Sequence, residues 1–238
     1  MAPTVSTSSV PSSTREIVFS TIKSMSGFAY VYGEEDAPKI THLIIGDKKR
    51  TAKLLFTIAR GGWVLTPEWV FKSIENGSWL PEESFEAVDL FPGARKSRLA
   101  RTASLEDDTN LMASALFGGK KFHVFGATAP PEDDLELLIE LCGGQVVDSF
   151  KKADVVVLGE GYSPPTSRRP TVGVEWILDS ISGFEVLPLP EFTPDPDEAE
   201  DDEAEDDEEE KDFDAAAVED EEEEEEPASS SAKDEDDA

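Results

Sequence analysis

Cysteine, histidine and long apolar runs are scarce in this sequence. The single thiol, Cys142, excludes an intrachain disulfide and fits a reducing compartment, either the cytosol or the nucleus. One cysteine and two histidines are too few ligands for the usual structural zinc sites. No 18 successive residues are apolar, and the amino terminus has no basic segment before an apolar one. We therefore expect neither a membrane span nor a secretory signal.

Acidic residues are abundant, and their distribution along the chain is uneven. The 238 residues carry a formal net charge of −32, of which −25 belongs to residues 193–238 and −7 to the rest. This acidic tail contains one aromatic residue, Phe213, and cannot bury enough apolar surface to offset its ordering entropy. We predict that residues 193–238 are disordered. Residues 1–14, mostly Ser, Thr, Pro, Ala and Val, are also predicted to be a disordered amino terminus.

An internal repeat sets the number of domains. Residues 68–74 (EWVFKSI) match residues 175–181 (EWILDSI), and Leu80-Pro81 matches Leu187-Pro188 at the same spacing. Two matches at one spacing indicate a duplicated domain. We predict a first repeat at 15–91, a linker at 92–115 and a second repeat at 116–192, each repeat being small for an autonomous domain.

Strand and helix patterns alternate within both repeats. This alternation favours an α/β fold with mostly parallel sheets covered by helices on both faces. Predicted strands lie at 16–19, 28–32, 42–45 and 63–65 in the first repeat, and at 122–125, 146–147 and 155–158 in the second. Predicted helices lie at 50–60, after Thr66, at 133–141 and at 176–181.

Several of these features together resemble the BRCT family. They are the Gly-Gly pairs at 61–62 and 143–144, the tryptophans Trp69 and Trp176 that open each last helix, and the strand at 41–45. The resemblance covers about Arg15 to Phe192. It implies two tandem four-stranded parallel sheets flanked by helices. It also implies a non-enzymatic, cofactor-free adaptor in the nucleus that binds phosphoserine or phosphothreonine proteins in the DNA-damage response or chromatin signalling.

The resemblance further implies a phosphate site in the first repeat. The hydroxyl of Ser20, the backbone N–H of Thr21 and the ammonium of Lys53 would hold the phosphate. The residue three positions after the phosphoresidue would be read by Arg50, Leu55, Pro130 and Leu178. Because Pro130 is small, the groove would be shallow and favour a chain-terminal carboxylate. Other interpretations remain open: Arg50 and Lys53 could be a solvated helix face, Ser20 could bond only to local backbone, and the apolar residues could be core.

The first repeat departs from the family pattern between its first two predicted strands. Only about eight residues separate the strand at 16–19 from the strand at 28–32. A crossover between parallel strands needs a dozen or more residues. We therefore expect either a repeat that lacks helix one or a sequence that lacks a segment.

Two charged segments suggest further roles. Residues 92–101 are basic and are interpreted as a solvated linker in preference to a nuclear signal or a nucleic-acid contact. The acidic tail suggests a second hypothesis, an acidic-tailed chromatin protein that binds histones while the repeats serve as a scaffold. The expected partners are thus a phosphorylated protein or histone tail, and histones through the acidic tail. We expect no membrane partner and no direct DNA binding.

Overall fold

A computed structural model describes residues 2–106, 115–161 and 169–189, with side chains in the first range described as far as Ala103. These residues form two four-stranded parallel sheets with flanking helices, which confirms the predicted fold class. The predicted disorder of residues 193–238 falls outside the described part of the chain.

The first sheet has the strand order β2-β1-β3-β4, and all its pairings are parallel. The strands are β1 (Thr4–Ser8), β2 (Ala29–Tyr30), β3 (His42–Ile45) and β4 (Trp63–Leu65). The helices of this repeat are α1 (Ser12–Ser24), α2 (Ala52–Ala59) and α3 (Glu68–Asn76). Helices α1 and α3 pack with Trp69 on one face of the sheet, while α2 belongs to the larger core cluster on the other.

The amino terminus is not disordered, so the predicted boundaries 1–14 and 15–91 are wrong. Strand β1 lies within the first 14 residues, between β2 and β3, with Ser6 fully buried. The sequence of this strand indicates a loop, because hydroxyl-rich segments are typical of loops. Burial is tolerated because those hydroxyls are satisfied: Ser6 Oγ donates to Val31 O at 2.9 Å, and Thr7 Oγ1 bonds Tyr30 Oη at 2.9 Å.

Helix one is present, so the prediction that it is missing is wrong. Residues 16–19 belong to α1 and not to a strand. The buried residues of α1, Val18, Thr21 and Ile22, follow the three- and four-residue spacing of a helix face. With β1 ending at Ser8 and β2 beginning at Ala29, the crossover has the length that a parallel connection requires.

The predicted solvated linker is largely a helix, α4 (Pro92–Glu106), and its basic residues hold it in place. Arg95 Nε lies 2.5 Å and Arg98 Nη2 3.0 Å from a carboxylate oxygen of Glu86, whose side chain is 1 % exposed. The Arg98 guanidinium also stacks over the Trp63 ring at 3.7 Å. Arg101 donates to the backbone carbonyls of Ala59 and Leu141, one from each repeat. Helix α4 thus connects the repeats through specific contacts.

The second sheet repeats the order of the first, as β6-β5-β7-β8. Its strands are β5 (Lys121–Phe125), β6 (Gln145–Val146), β7 (Val155–Leu158) and β8 (Thr171–Gly173), and its helices are α5 (Glu132–Leu141) and α6 (Val174–Gly183). One hydrophobic cluster runs from α2 through α4 and α5 to α6 and so joins both repeats. None of the helices in the described residues is long and apolar enough to cross a membrane.

Candidate functional site

The carboxyl end of β1 carries the first part of the site. Ser8 is the last residue of the strand, and its Oγ lies 2.9 Å from Thr51 Oγ1 at the start of α2. Ser9 follows with a φ of 52°, a left-handed conformation that is uncommon for residues other than glycine. Helix α1 begins three residues later without a side-chain cap. Its first N–H groups, which have no intrahelical acceptor, and its positive dipole end are suited to an anion.

Lys53 brings a positive charge to the same end of β1. It lies in the first turn of α2, which Thr51 caps by accepting a hydrogen bond from Leu54 N at 3.4 Å. The ammonium donates to Ser6 Oγ at 3.0 Å and to the backbone carbonyl of Tyr32 at 2.7 Å. Both acceptors are neutral, so these bonds fix the position of the ammonium without cancelling its charge.

The electrostatic surroundings of Lys53 are mixed. Burial lowers the pKa of the Lys53 ammonium, and the positive charge of Arg15, in the first turns of α1, lowers it further. Carboxylates of the loop after Tyr32 oppose this effect, with Glu34 the strongest of them. Lys53 therefore lies within electrostatic reach of a second cation and of acidic residues.

A pocket opens on the other side of the first turn of α2. It has a volume of about 230 Å³ and is formed by α2 together with residues of the second repeat. All four residues predicted to read the third position contribute to it: Arg50, Leu55, Pro130 and Leu178. Leu55 and Leu178 are 4 % and 5 % exposed, so they also belong to the core between the repeats.

Arg50 connects this pocket to the second repeat. Its guanidinium nitrogens donate to Glu175 and Asp179, both on α6. The side chain of Arg50 is 27 % exposed, whereas the two carboxylates are more exposed. Among the described residues that line the pocket, Arg50 is the one cation, and it faces two carboxylates.

Ser20 and Thr21, predicted to hold the phosphate, are not at the end of strand one. Both lie inside α1, where each hydroxyl donates to the carbonyl of Ile17, at 3.0 Å and 2.7 Å. The strand end that the resemblance requires is occupied by Ser8 and Ser9. The sequence did not indicate Ser8 and Ser9 because it did not indicate strand β1. The available signal was Pro11-Ser12-Ser13, which precedes the buried face of α1 and is typical of a helix start.

Comparison with known proteins shows that the chain is a tandem BRCT-domain protein. Residues 4–74 match the BRCA1 C Terminus (BRCT) domain family, and residues 115–193 match a second BRCT domain family. BRCT domains are protein-interaction modules.

The relatives agree with this assignment. The chain is 33 % identical to microcephalin of Mus musculus over an alignment of 179 residues. The alignment covers 75 % of this chain and 21 % of microcephalin. The chain is 27 % identical to the BRCA1-associated RING domain protein 1 of Arabidopsis thaliana, and that alignment covers 64 % of this chain and 27 % of the relative. The crystal structure of the S. pombe Brc1 BRCT5-BRCT6 domains superposes with a TM-score of 0.50 at 13 % identity, covering 78 % of this chain and 94 % of that one. The chain spans about a fifth of the length of microcephalin.

Proposed function

We propose that the chain is a phosphopeptide-binding adaptor whose first repeat holds a phosphoserine or phosphothreonine of a partner protein. The supporting observation is that the Lys53 ammonium binds Ser6 of β1, and that this strand ends at the Ser8 hydroxyl shortly before the uncapped start of α1. In this proposal the phosphate accepts from Ser8 Oγ, the Ser9 backbone N–H and Lys53 Nζ. Lys53 keeps the role that the sequence predicts, while Ser8 and Ser9 replace Ser20 and Thr21.

The electrostatics of the site favour a phosphate over a neutral hydroxyl. A phosphoserine carries about −1.5 to −2 charges at neutral pH, and charge-assisted hydrogen bonds are about twice as strong as neutral ones. Burial has weakened the hydration of Lys53, so a dianion supplies the stabilisation that water no longer provides. The positive charge of Arg15 also favours the binding of a dianion beside Lys53. An unmodified serine carries no charge and gains none of this electrostatic stabilisation.

The pocket beside Arg50 is proposed to take the side chain three residues after the phosphoresidue. Its walls are apolar apart from Arg50 and Thr51. Because Glu175 and Asp179 already engage Arg50, a chain-terminal carboxylate would meet a net negative rim. We therefore favour an apolar side chain in this pocket over the terminal carboxylate that the sequence suggested. Arg50 then shapes the pocket and fixes the second repeat against it.

Membership of the BRCT family supports a proposal for the cellular setting. We propose that the chain acts in the nucleus, in the DNA-damage response or chromatin signalling, and that its partner is a phosphorylated nuclear protein or histone tail. The proposed activity is recognition without catalysis. Direct DNA binding is not part of the proposal.

Fluorescence anisotropy with a phosphoserine peptide and its unphosphorylated twin tests the proposal. We expect the phosphopeptide to bind at least about tenfold more tightly, since hydrogen bonds to charged groups contribute roughly 1.5–3 kcal/mol. Lys53→Ala and Ser8→Ala should each remove most of that difference. Lys72→Ala, which breaks an exposed ion pair with Glu75, is the matched charge control and should bind normally.

Ser20→Ala separates the two assignments of the phosphate hydroxyl. Because Ser20 Oγ is occupied by the Ile17 carbonyl, we expect wild-type binding from this variant. Impaired binding in Ser20→Ala with normal binding in Ser8→Ala would restore the assignment made from the sequence. Equal affinity of the two peptides for the wild-type protein would remove the adaptor function altogether.

The acidic tail supports a second candidate function. Its charge of −25 over residues 193–238 suits basic proteins such as histones, and the repeats would then serve as a scaffold. Deleting residues 193–238 tests this role in the same assay with histone octamers added. Loss of salt-sensitive histone binding with intact phosphopeptide binding would assign histones to the tail. Histone binding that survives the deletion would exclude that role.

A further inference from the structure

A partly exposed aromatic cluster adjoins the proposed phosphate site, and the proposed function does not use it. We name it the aromatic edge: Phe19 of α1, Tyr30 of β2 and Tyr32 just beyond β2. Ring centroids lie 5.4 Å apart for Phe19 with either tyrosine and 4.6 Å apart for the tyrosine pair. Tyr32 is 63 % exposed, more than the other exposed large hydrophobic residues in the described chain. Phe19 and Tyr30 are half-buried, and the Lys23 ammonium lies 4.2 Å from the centroid of the Phe19 ring. The two rings support Tyr32, whose ring is the one in the cluster that is exposed to solvent.

The aromatic edge meets the phosphate site at the Tyr32 backbone, whereas the Tyr30 ring lies on the face of the sheet that packs on Trp69, opposite Ser6 and Lys53. The Tyr32 carbonyl accepts a hydrogen bond from Lys53 Nζ at 2.7 Å. Tyr30 pairs with Val5 in the parallel register of β2 on β1, and its hydroxyl bonds Thr7 Oγ1. Strand β2 is the outermost strand of the sheet, on the other side of β1 from β3. Arg50, in contrast, reaches toward α6 of the second repeat.

This arrangement gives the ligand a direction. If residues after the phosphoresidue enter the pocket at Arg50, the residues before it run past Lys53 toward the outer strand. They then meet the aromatic edge. The phosphate site would therefore have recognition surfaces on both sides.

Charges beside the aromatic edge indicate which side chain fits. Glu34 and Glu35 follow Tyr32 and are both exposed. Within the described loop, the ion pair is made by the third acid, Asp36, with Lys39 at 2.7 Å. The Tyr32 carbonyl, two residues before Glu34, binds the Lys53 ammonium at 2.7 Å. Burial lowers the pKa of Lys53, and the charges of Glu34 and Glu35 partly offset that effect. These carboxylates would repel a phosphate bound to Lys53. A positive charge on the ligand would compensate this repulsion.

We propose that the aromatic edge, with Glu34 and Glu35, binds an arginine or lysine that precedes the phosphoresidue in the ligand. A guanidinium or ammonium over the exposed Tyr32 ring gains a cation–π contact, and the two carboxylates complete its neutralisation. The inference rests on the proposed phosphopeptide function and names a class of ligand for it: a phosphopeptide with a basic residue on its amino-terminal side.

A positional peptide series tests this inference. Phosphoserine peptides carry a single Arg at the first, second, third or fourth position before the phosphoresidue, and a reference peptide carries Gln at all four. We expect Arg at one position to tighten binding about two- to fivefold. Tyr32→Ala should abolish that advantage, and Glu34→Gln combined with Glu35→Gln should reduce it. Tyr32→Ala keeps the backbone carbonyl that accepts from Lys53 and should bind the Gln peptide as the wild type does. The double Glu→Gln variant should bind the Gln peptide at least as tightly as the wild type, because two charges that repel the phosphate are removed.

Phe150→Ala is the matched control, because it removes an exposed aromatic ring, 36 % exposed, from the second repeat. It should keep the full preference for Arg. The inference is overturned if no position prefers Arg, or if the preference survives in Tyr32→Ala. A thymidine oligonucleotide that binds the wild type and not Tyr32→Ala would also overturn it by assigning the edge to nucleic acid. In each case a retained preference for the phosphorylated peptide over its twin would leave the proposed function standing.

Discussion

Glu86 gives the sharpest test of how the two repeats are joined. Its carboxylate is the common partner of Arg95 and Arg98 on α4, and its side chain is 1 % exposed. We predict that Glu86→Gln substantially destabilises the protein. The substitution keeps the size of the side chain but replaces a charged acceptor with an amide, whose N–H₂ group faces two guanidinium groups.

The magnitude follows from what the substitution leaves uncompensated. Removing one partner of a buried ion pair costs about 3–5 kcal/mol. Two features moderate this cost here: glutamine retains one acceptor oxygen, and Arg95 is 42 % exposed and can regain water. We therefore expect a loss of about 2–3 kcal/mol in the free energy of unfolding, in the range for hydrogen bonds to charged groups.

Urea unfolding at pH 7, followed by tryptophan fluorescence, measures this loss. Urea is preferred to guanidinium chloride because salt screens ion pairs. The matched control is Glu75→Gln, the same chemical change in an exposed pair with Lys72, with an expected cost below about 0.5 kcal/mol. Similar small losses in both variants would refute the role assigned to Glu86.

The pH dependence supplies a second criterion. Burial alone would raise the pKa of Glu86, but hydrogen bonds and charges from Arg98 and Arg95 outweigh it, and the pKa is lowered. A lowered carboxyl pKa in the folded state stabilises the fold above the unfolded pKa and ceases to do so as pH falls through the folded value. The stability difference between wild type and Glu86→Gln should therefore be constant near neutrality and shrink below about pH 4. A difference independent of pH down to pH 3 would contradict the ion-pair explanation.

Two further predictions concern single side chains. Burial raises the pKa of Cys142 to about 12, so iodoacetamide at pH 8 should leave the native protein unlabelled and label it fully in urea; rapid native labelling would show that α5 opens easily. Thr51→Val removes the cap of α2 and the hydroxyl bonded to Ser8, and should cost about 1 kcal/mol in urea unfolding, with Thr51→Ser restoring it; an unchanged stability would mean that the cap contributes nothing.

Strongly patterned elements of this fold could be predicted from the sequence. Strand β7 is a continuous apolar run and β3 is apolar after His42, as expected for central parallel strands, and the structure places both inside their sheets. Gly77, which adopts a φ of 73°, is the sequence signal for the end of α3 at Asn76. The first strand and helix could not be predicted in this way. In α1, residues 16–19 are β-prone by composition, and only tertiary packing of Val18 and Ile22 decides in favour of a helix.

The candidate site shows the same division. The roles of Lys53, Arg50 and the pocket residues are predicted from the family resemblance, position by position, and they stay predictions. Contacts between distant segments could not be identified. The pairing of Arg50 with α6 spans more than 120 residues, and no local pattern indicates that its positive charge is already engaged.

Strand β1 explains why both the amino-terminal boundary of the first repeat and the phosphate-binding hydroxyl were predicted wrongly. Its side chains alternate between the two faces of the sheet, as in any strand. Ser6 and Ser8 reach α2, where they contact Lys53 and Thr51, while Val5 packs into the cluster around Trp69 on the opposite face. A strand whose α2-facing positions were apolar would have been recognised easily, but it would offer no hydroxyl beside the ammonium. The serines that prevent this strand from being predicted by its sequence pattern are thus the ones on which phosphate binding is proposed to depend. Such departures from local sequence rules are expected at functional sites.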